Sequence, residues 1–391
     1  MPRQHLLLPA HLLTLLLAAC ASQSPAQREP TPEPAAPSTV EAEATPPPAP
    51  RVSSGAFAWN PERTLTVHVL DVGQGSATLL ETPCGAVLVD TGGERNGDFD
   101  GEQALLTQLD AFFARRSDLN HTLALLVLTH PHLDHVRGVP AVLQRYVVRN
   151  VVHNGQPGGE VVREQMDVLR SRLQRGDIGE RAVRSDEIPA GGLSDAVVDP
   201  LACATVDPRI RVLSGSVAGD PGWGEEESGT PHFSDENNHS VVLRVDFGAA
   251  SLLITGDLET PAIEDLVRRY EGTGALDVDL LVVGHHGSAN GTTPSLLQAT
   301  TPRVAVISCG PPDRRHAFTA HAHGHPRRRV VELLQDAILT SRNPVDAQVA
   351  SGPRRFSSVQ VDRAVYATAW DGTVVVRLNA DGPVAVMSSA R

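Results

Sequence analysis

Residues 123–135 read LALLVLTHPHLDH: six apolar residues, a threonine, then four metal-ligating side chains between His130 and His135. An apolar run this short and unbroken predicts a strand buried on both faces, as found inside layered α/β proteins. The strand ends in a histidine-rich loop. Two histidines two apart suit one metal ion, while the aspartate and the adjacent histidine suit a second, so His130, His132, Asp134 and His135 seed a two-metal centre. Further on, ASLLITGD (250–257) ends a strand on Asp257, a carboxylate able to bridge two ions, and DVDLLVVGHH (277–286) ends one on His285 and His286. A lone histidine beside a strand, such as His68 or His121, reads as a surface or capping residue. Ligand types at three successive strand ends do not.

Outward from this stretch, short apolar runs alternate with helical patterns. TLTVHVLDV, ATLLET and GAVLVDTG predict strands before the loop, and EQALLTQLDAFFARR predicts an amphipathic helix between them and it. VPAVLQRYV and EVVREQMDVLRSRLQR predict helices after it. Residues 191–238, rich in Gly, Asp, Ser and Glu, read as irregular connection. Strands resume at SVVLRVDFG and RVAVIS, with helices near 261–270 and in RRRVVELLQDA, and AVYATAW, GTVVVRL and PVAVMSS read as closing strands. The alternation in two halves fits a layered α/β fold.

The 391 residues are 41% hydrophobic, which excludes disorder over most of the chain. Acidic residues outnumber basic ones, 46 to 33, and every basic residue is Arg, so nucleic-acid contact would be local rather than a matter of bulk charge. Aromatic residues make up 4%, which argues against a platform stacking successive bases. Cys20, Cys84, Cys203 and Cys309 are too scattered for a disulfide scaffold, although Cys84 and Cys203 are able to pair in an oxidising compartment. Cys20 ends an apolar run of signal-peptide length, and Leu17-Ala18-Ala19-Cys20 resembles a lipobox. Residues 1–19 therefore read as a lipoprotein signal peptide, 20–60 as a lipidated cysteine followed by a proline-rich spacer, and 61–391 as the catalytic domain. The expected location is an exported lipoprotein held to the outer membrane by its lipid, since Ala21 rather than Asp follows Cys20.

THPHLDH, then GD, then HHGS is the motif series of the metallo-β-lactamase superfamily, and the chain is identified as a member. LDVGQGSATLLETPCGAVLVDTGG, LTHPHLDHVRGV, NNHSVVLRVDFGAASLLITGD, VDLLVVGHHGSANGTT and GHPRRRVVELL together resemble the soluble hydrolase domain of the ComEC/Rec2 competence proteins. The resemblance spans about residues 64–386 and implies a four-layer αβ/βα sandwich. It implies two divalent ions, Zn or Mn, with His130 and His132 on the first, Asp134, His135 and His285 on the second, and Asp257 bridging. Asp134 and His286 are the catalytic candidates, His286 contacting a phosphate or the leaving group; sequence leaves open which of His285 and His286 binds metal. Asp90 would orient a ligating histidine, Asp71 and Gln74 would sit on an equivalent loop, and His239 would either complete the first site or cap a strand. Ser288, His325, Arg327, Arg328 and Arg329 are the expected substrate contacts.

Two departures stand out: Ser76-Ala77 replaces the usual Asp-Ala after DVGQG, and a lipid anchor stands where competence proteins have a membrane channel. The implied activity is a phosphodiesterase or nuclease that uses a metal-bound hydroxide on a phosphodiester such as DNA. The alternatives are another hydrolase of the same scaffold, acting on a phosphocholine ester, small ester or β-lactam, and a non-catalytic envelope binding lipoprotein.

Overall fold

The apolar run before His130 forms the strand Leu125–Leu128, buried along its whole length. In this computed structural model, which describes residues 59–217 and 235–388, it lies inside an eight-stranded mixed sheet. Across the sheet the strands are Val384–Ser388, Val374–Asn379, Thr64–Val69, Thr78–Glu81, Ala86–Val89, Leu125–Leu128, Asn150–His153 and Gly179–Ala182. The first four pairings are antiparallel and the last three parallel, with Val87 opposite Leu125 and Leu126 opposite Val151. A second sheet has six strands, ordered Val365–Ala367, Val304–Ile307, Leu280–Val283, Ala250–Ile254, Val242–Phe247 and Arg209–Ser214. Its first three pairings are parallel and its last two antiparallel.

Side chains alternate along a strand, so one strand serves two cores. Leu125 and Val127 join the core shared with Leu243, Leu253 and Val282 of the other sheet. Leu126 and Leu128 face outward to Leu105, Leu109 and Phe112 of the helix Gly101–Arg115 and Val142 of the helix Val139–Arg145. On the far side Ile263, Leu297 and Leu334 bring in the helices Thr260–Arg269, Pro294–Thr300 and Arg328–Ala337. The layers run helix, sheet, sheet, helix, and each fully buried Leu or Val contributes about 1.5–3 kcal/mol.

Three details differ from the sequence reading. The strand Arg209–Ser214 falls inside the stretch read as irregular; it is an edge strand, and its Arg211 pairs with Asp246 at 2.6 Å, so its charges hide the alternation. A long hairpin, Ser341–Gly352 with Arg355–Arg363, has a largely exposed face and no continuous apolar signal. AVYATAW is strand only over Val365–Ala367, after which Thr368–Asp371 is helical. Cys84 and Cys203 form a disulfide, and Cys309 is buried and free. All described residues belong to one compact unit, and among them no helix is long and apolar enough to cross a membrane. The expected signal peptide, Cys20 and the expected spacer up to residue 58 lie outside the described residues, and Trp59 and Asn60 at its end are described.

Candidate metal centre

The parallel strands of both sheets end at one edge, and their next residues meet there. After Ala86–Val89, Asp90 adopts a left-handed backbone (φ 60°), tolerable for a short polar residue. Its carboxylate, 1% exposed, accepts from Thr129 N at 2.8 Å, from Thr129 Oγ1 and from His135 Nδ1 at 2.8 Å. After Leu125–Leu128 the chain passes through His130 and His132 into a single turn of helix, Leu133–Val136, that carries Asp134 and His135. The backbone of this turn is clasped by the two glycine loops: Ser76 N donates to Asp134 O at 2.9 Å, and a Cβ on Gly92 would lie 1.5 Å from the same oxygen. Only glycine fits there.

Two groups of ligand atoms result, each lying within 4.8 Å: His130, His135 and Asp257, and Asp134, His135 and His286. His135 belongs to both. Its Nε2 lies 3.2 Å from Asp257 Oδ2 and 3.3 Å from His286 Nε2, while His286 Nε2 lies 3.3 Å from Asp134 Oδ2 and 3.4 Å from Asp257 Oδ2. The outer ring nitrogens are held from behind. His286 Nδ1 donates to Ser308 O at 2.9 Å, and His130 Nδ1 lies 3.2 Å from Thr129 Oγ1 and 3.4 Å from Ser240 Oγ. His130 Nε2 is buried without a hydrogen-bond partner, an arrangement that costs about 1–3 kcal/mol unless something accepts its lone pair. Three imidazole nitrogens and two carboxylates directed at one another, one nitrogen orphaned, fit a divalent metal.

Electrostatics agree. Burial alone would raise Asp257 and Asp134, but the facing histidines outweigh it and hold both carboxyls below their usual range. Burial opposes charge on His286, yet Asp257 and Asp134 raise it to about 10, and Asp257 and Asp90 likewise raise His135. Burial, helped by the charge on His135, pushes His130 down. Carboxylates that hold protons on neighbouring imidazoles are carboxylates that a dication would neutralise instead.

The remaining expected residues divide. Of the adjacent pair that the sequence left open, His286 belongs to one of the groups, while His285 stands outside both, with its Nδ1 3.5 Å from Glu259 Oε1. His132 lies beside His130, ring centroids 4.6 Å apart, but its Nε2 faces Glu236 at 3.2 Å. His239 also stands outside, its Nδ1 accepting from Val217 N at 2.9 Å. Gln74 reaches the site, its amide 3.3 Å from His325 Nδ1. Asp71 instead closes its own turn through Gly73 N, and Ser288 donates to Asn290.

A cleft of about 710 Å³ opens over Asp134, Asp257 and His286, and His285 and His325 line it. The expected arginine cluster does not: Arg327 N and its guanidinium bond to Gly287 O and His323 O, Arg328 turns to Ser357 on the long hairpin, and Arg329 is exposed. The helix start carries their side chains away from the cleft. Arg95 and Arg137 line it instead. Sequence reasoning passed over these two, and over buried Glu94, whose carboxylate accepts from Gln74 N and pairs with Arg314. The available signal was their position just after DTGG and HPHLDHV.

Residues 70–310 match the family model of the metallo-beta-lactamase superfamily. The chain is 28% identical over 283 residues to ComE operon protein 3 of Bacillus subtilis, covering 69% of this chain and 30% of that one. It is 29% identical over 270 residues to Competence protein ComA of Neisseria gonorrhoeae, covering 69% and 29%, and 29% identical over 248 residues to Recombination protein 2 of Haemophilus influenzae, covering 63% and 24%. The chain thus spans less than a third of the length of these relatives. Among solved structures, the metallo-beta-lactamase fold protein YhfI from Bacillus subtilis is similar at 13% identity with a TM-score of 0.36, covering 62% of this chain and 85% of that one.

Proposed function

The chain belongs to the metallo-β-lactamase superfamily, and from that premise we propose that it is a metal-dependent phosphodiesterase holding two divalent ions, Zn or Mn. The observation that carries the reading is the pair of ligand groups, buried except for half-buried Asp134, that share His135 beneath a cleft lined by Arg95 and Arg137. Guanidinium groups beside such a centre suit a substrate that keeps a negative charge throughout its reaction, as a phosphodiester does. His130 and Asp257, with His132 alongside, hold one ion; Asp134, His135 and His286 hold the other. Ions bound there supply an activated water and neutralise charge on a phosphoryl oxygen.

The rest is work for the protein's own groups. Asp90 fixes the tautomer of His135, Thr129 and Ser240 fix His130, and the Ser308 carbonyl aims His286 Nε2 at the two carboxylates. His325, pushed down to about 2 by burial and the neighbouring histidines, is a neutral donor rather than a cation. Where the Gln74 amide donates to its Nδ1, its Nε2 carries the proton. His285, lowered by burial, serves the substrate in the same neutral form.

The relatives are named for competence and recombination, which makes nucleic acid the first polymer to try, with short or local contacts expected from the net charge of -13. A metal-reconstituted panel of bis(p-nitrophenyl) phosphate, single-stranded DNA, a phosphocholine ester and a β-lactam tests the reading. Hydrolysis of the first two supports it; lactam opening with both phosphodiesters untouched under Zn and Mn refutes it. We also propose export and lipid anchoring through Cys20, which the Cys84–Cys203 disulfide favours because such bonds persist in oxidising compartments. Cys20→Ser should then release the protein from the membrane fraction. Retention of the variant through a high-salt wash contradicts this.

A further inference from the structure

Phe318 is the most exposed large hydrophobic side chain among the described residues, 80% exposed, and it lines the cleft over the ligand groups. Its backbone is left-handed (φ 58°), a conformation disfavoured for a bulky residue and found mostly where function requires it. The loop around it is pinned. On one side Arg314 stacks 3.7 Å over Phe99 and pairs with Glu94, and His316 bonds Asp98 at 2.8 Å. On the other, Thr319 Oγ1 caps the turn Ala320–His323 and bonds back to His316 O. Ordered structure thus holds an aromatic ring out in solvent, in a backbone conformation it does not favour, without burial in return.

A row of rings joins Phe318 to the centre. The Phe318 and His323 centroids are 6.3 Å apart, His323 and His325 stack at 5.7 Å, and His325 and His286 stack at 6.3 Å. Phe318 is therefore at most three ring spacings from a residue of the ligand groups. A substituent attached within a nucleotide or two of the reacting phosphate reaches it. The few aromatic residues in the chain argue against a platform for many bases, but one ring at a cleft mouth serves one base.

Resting on the phosphodiesterase reading, we infer that Phe318 is a specificity-determining residue that stacks a flat aromatic group, a nucleobase, next to the scissile phosphodiester. A flat group is favoured over an acyl chain because the surface offered is an aromatic face continued by imidazole rings, and aromatic faces gain from stacking beyond area alone.

The test compares kcat/KM of the full-length, metal-loaded protein on trithymidylate, on an abasic trimer with the same phosphodiester backbone, and on octyl p-nitrophenyl phosphate. The wild type should prefer trithymidylate over the abasic trimer by about tenfold, mainly in KM. Phe318→Ala should erase that preference and Phe318→Trp should keep it. Phe318→Gly should also erase it while raising Tm, because glycine accepts the positive φ; a ring needed for packing would instead lower Tm when removed. Binding is read separately as quenching of a 2-aminopurine trinucleotide by Asp257→Asn protein, with and without Phe318→Ala. Quenching that depends on Phe318 in a protein that hydrolyses none of the substrates refutes the phosphodiesterase reading and leaves the stacking role standing. Hydrolysis with an unchanged trithymidylate preference in Phe318→Ala, or a preference for the octyl ester that disappears in that variant, overturns the inference.

Discussion

Replacing Asp90 by asparagine keeps the side chain's shape and, because asparagine accepts a left-handed backbone as readily as aspartate, its φ of 60°. What changes is the hydrogen-bond inventory. The carboxylate accepts from Thr129 N and from His135 Nδ1, both at 2.8 Å, and an amide has only one accepting oxygen. With that oxygen on Thr129 N, the amide N–H₂ faces His135 Nδ1 and favours the tautomer protonated at Nε2. That nitrogen lies 3.2 Å from Asp257 Oδ2 and is the one shared by both ligand groups. Loss of such a supporting contact typically costs 10- to 100-fold in metal affinity, ~1.4–2.8 kcal/mol, and here the ion held by Asp134, His135 and His286 should weaken more than the one held by His130 and Asp257. Chelator competition at pH 7 measures the affinities, with near-ultraviolet circular dichroism to show that the fold is kept. A folded Asp90→Asn protein whose weaker-bound ion still binds within twofold of the wild type refutes the reasoning.

Four further outcomes follow. His286→Ala should lose bound metal while His285→Ala keeps it and loses turnover, as elemental analysis of the two purified variants will show; the reverse result restores the roles expected from sequence. Because His286 holds its proton up to about 10 in the metal-free protein, ion binding must displace that proton, so affinity should climb with pH between 6 and 8 by up to about tenfold per unit, and a flat profile contradicts the assignment. The same raised value makes the metal-free protein lose stability as pH rises from about 6.5 towards 10, visible as a falling Tm. Removing the disulfide by Cys84→Ala with Cys203→Ala frees a sequence separation of 119 residues and should cost ~4 kcal/mol in denaturant unfolding, whereas an unchanged midpoint would mean that the bond constrains nothing.

The floor of the site was legible in the sequence because histidines and aspartates at the ends of several buried apolar strands add nothing to the packing of those strands. His130, Asp134, His135 and Asp257 converge through strand geometry that hydrophobic pattern alone forecasts. The choice between His285 and His286 was not legible. Both have left-handed backbones, φ 48° and 53°, and which ring faces the centre depends on a turn that no periodicity encodes. Arg327 to Arg329 misled by density: three adjacent cations read as an anion grip, but a helix start and the long hairpin direct them elsewhere. Arg95 and Arg137 drew no attention as single charges, and only the fold brings them to one cleft. The edge strand Arg209–Ser214 was missed for a related reason, its ion-paired arginine breaking the apolar pattern.

The central claim is that paired ions in these buried histidine and aspartate groups hydrolyse a phosphodiester. Its most direct test is elemental analysis of the reconstituted full-length protein, run beside its turnover of bis(p-nitrophenyl) phosphate before and after chelation. The account predicts close to two Zn or Mn ions per chain, with turnover lost to the chelator and regained on adding the ions back. A chain that retains no metal after reconstitution, or phosphodiester turnover that persists in chelator, would contradict it.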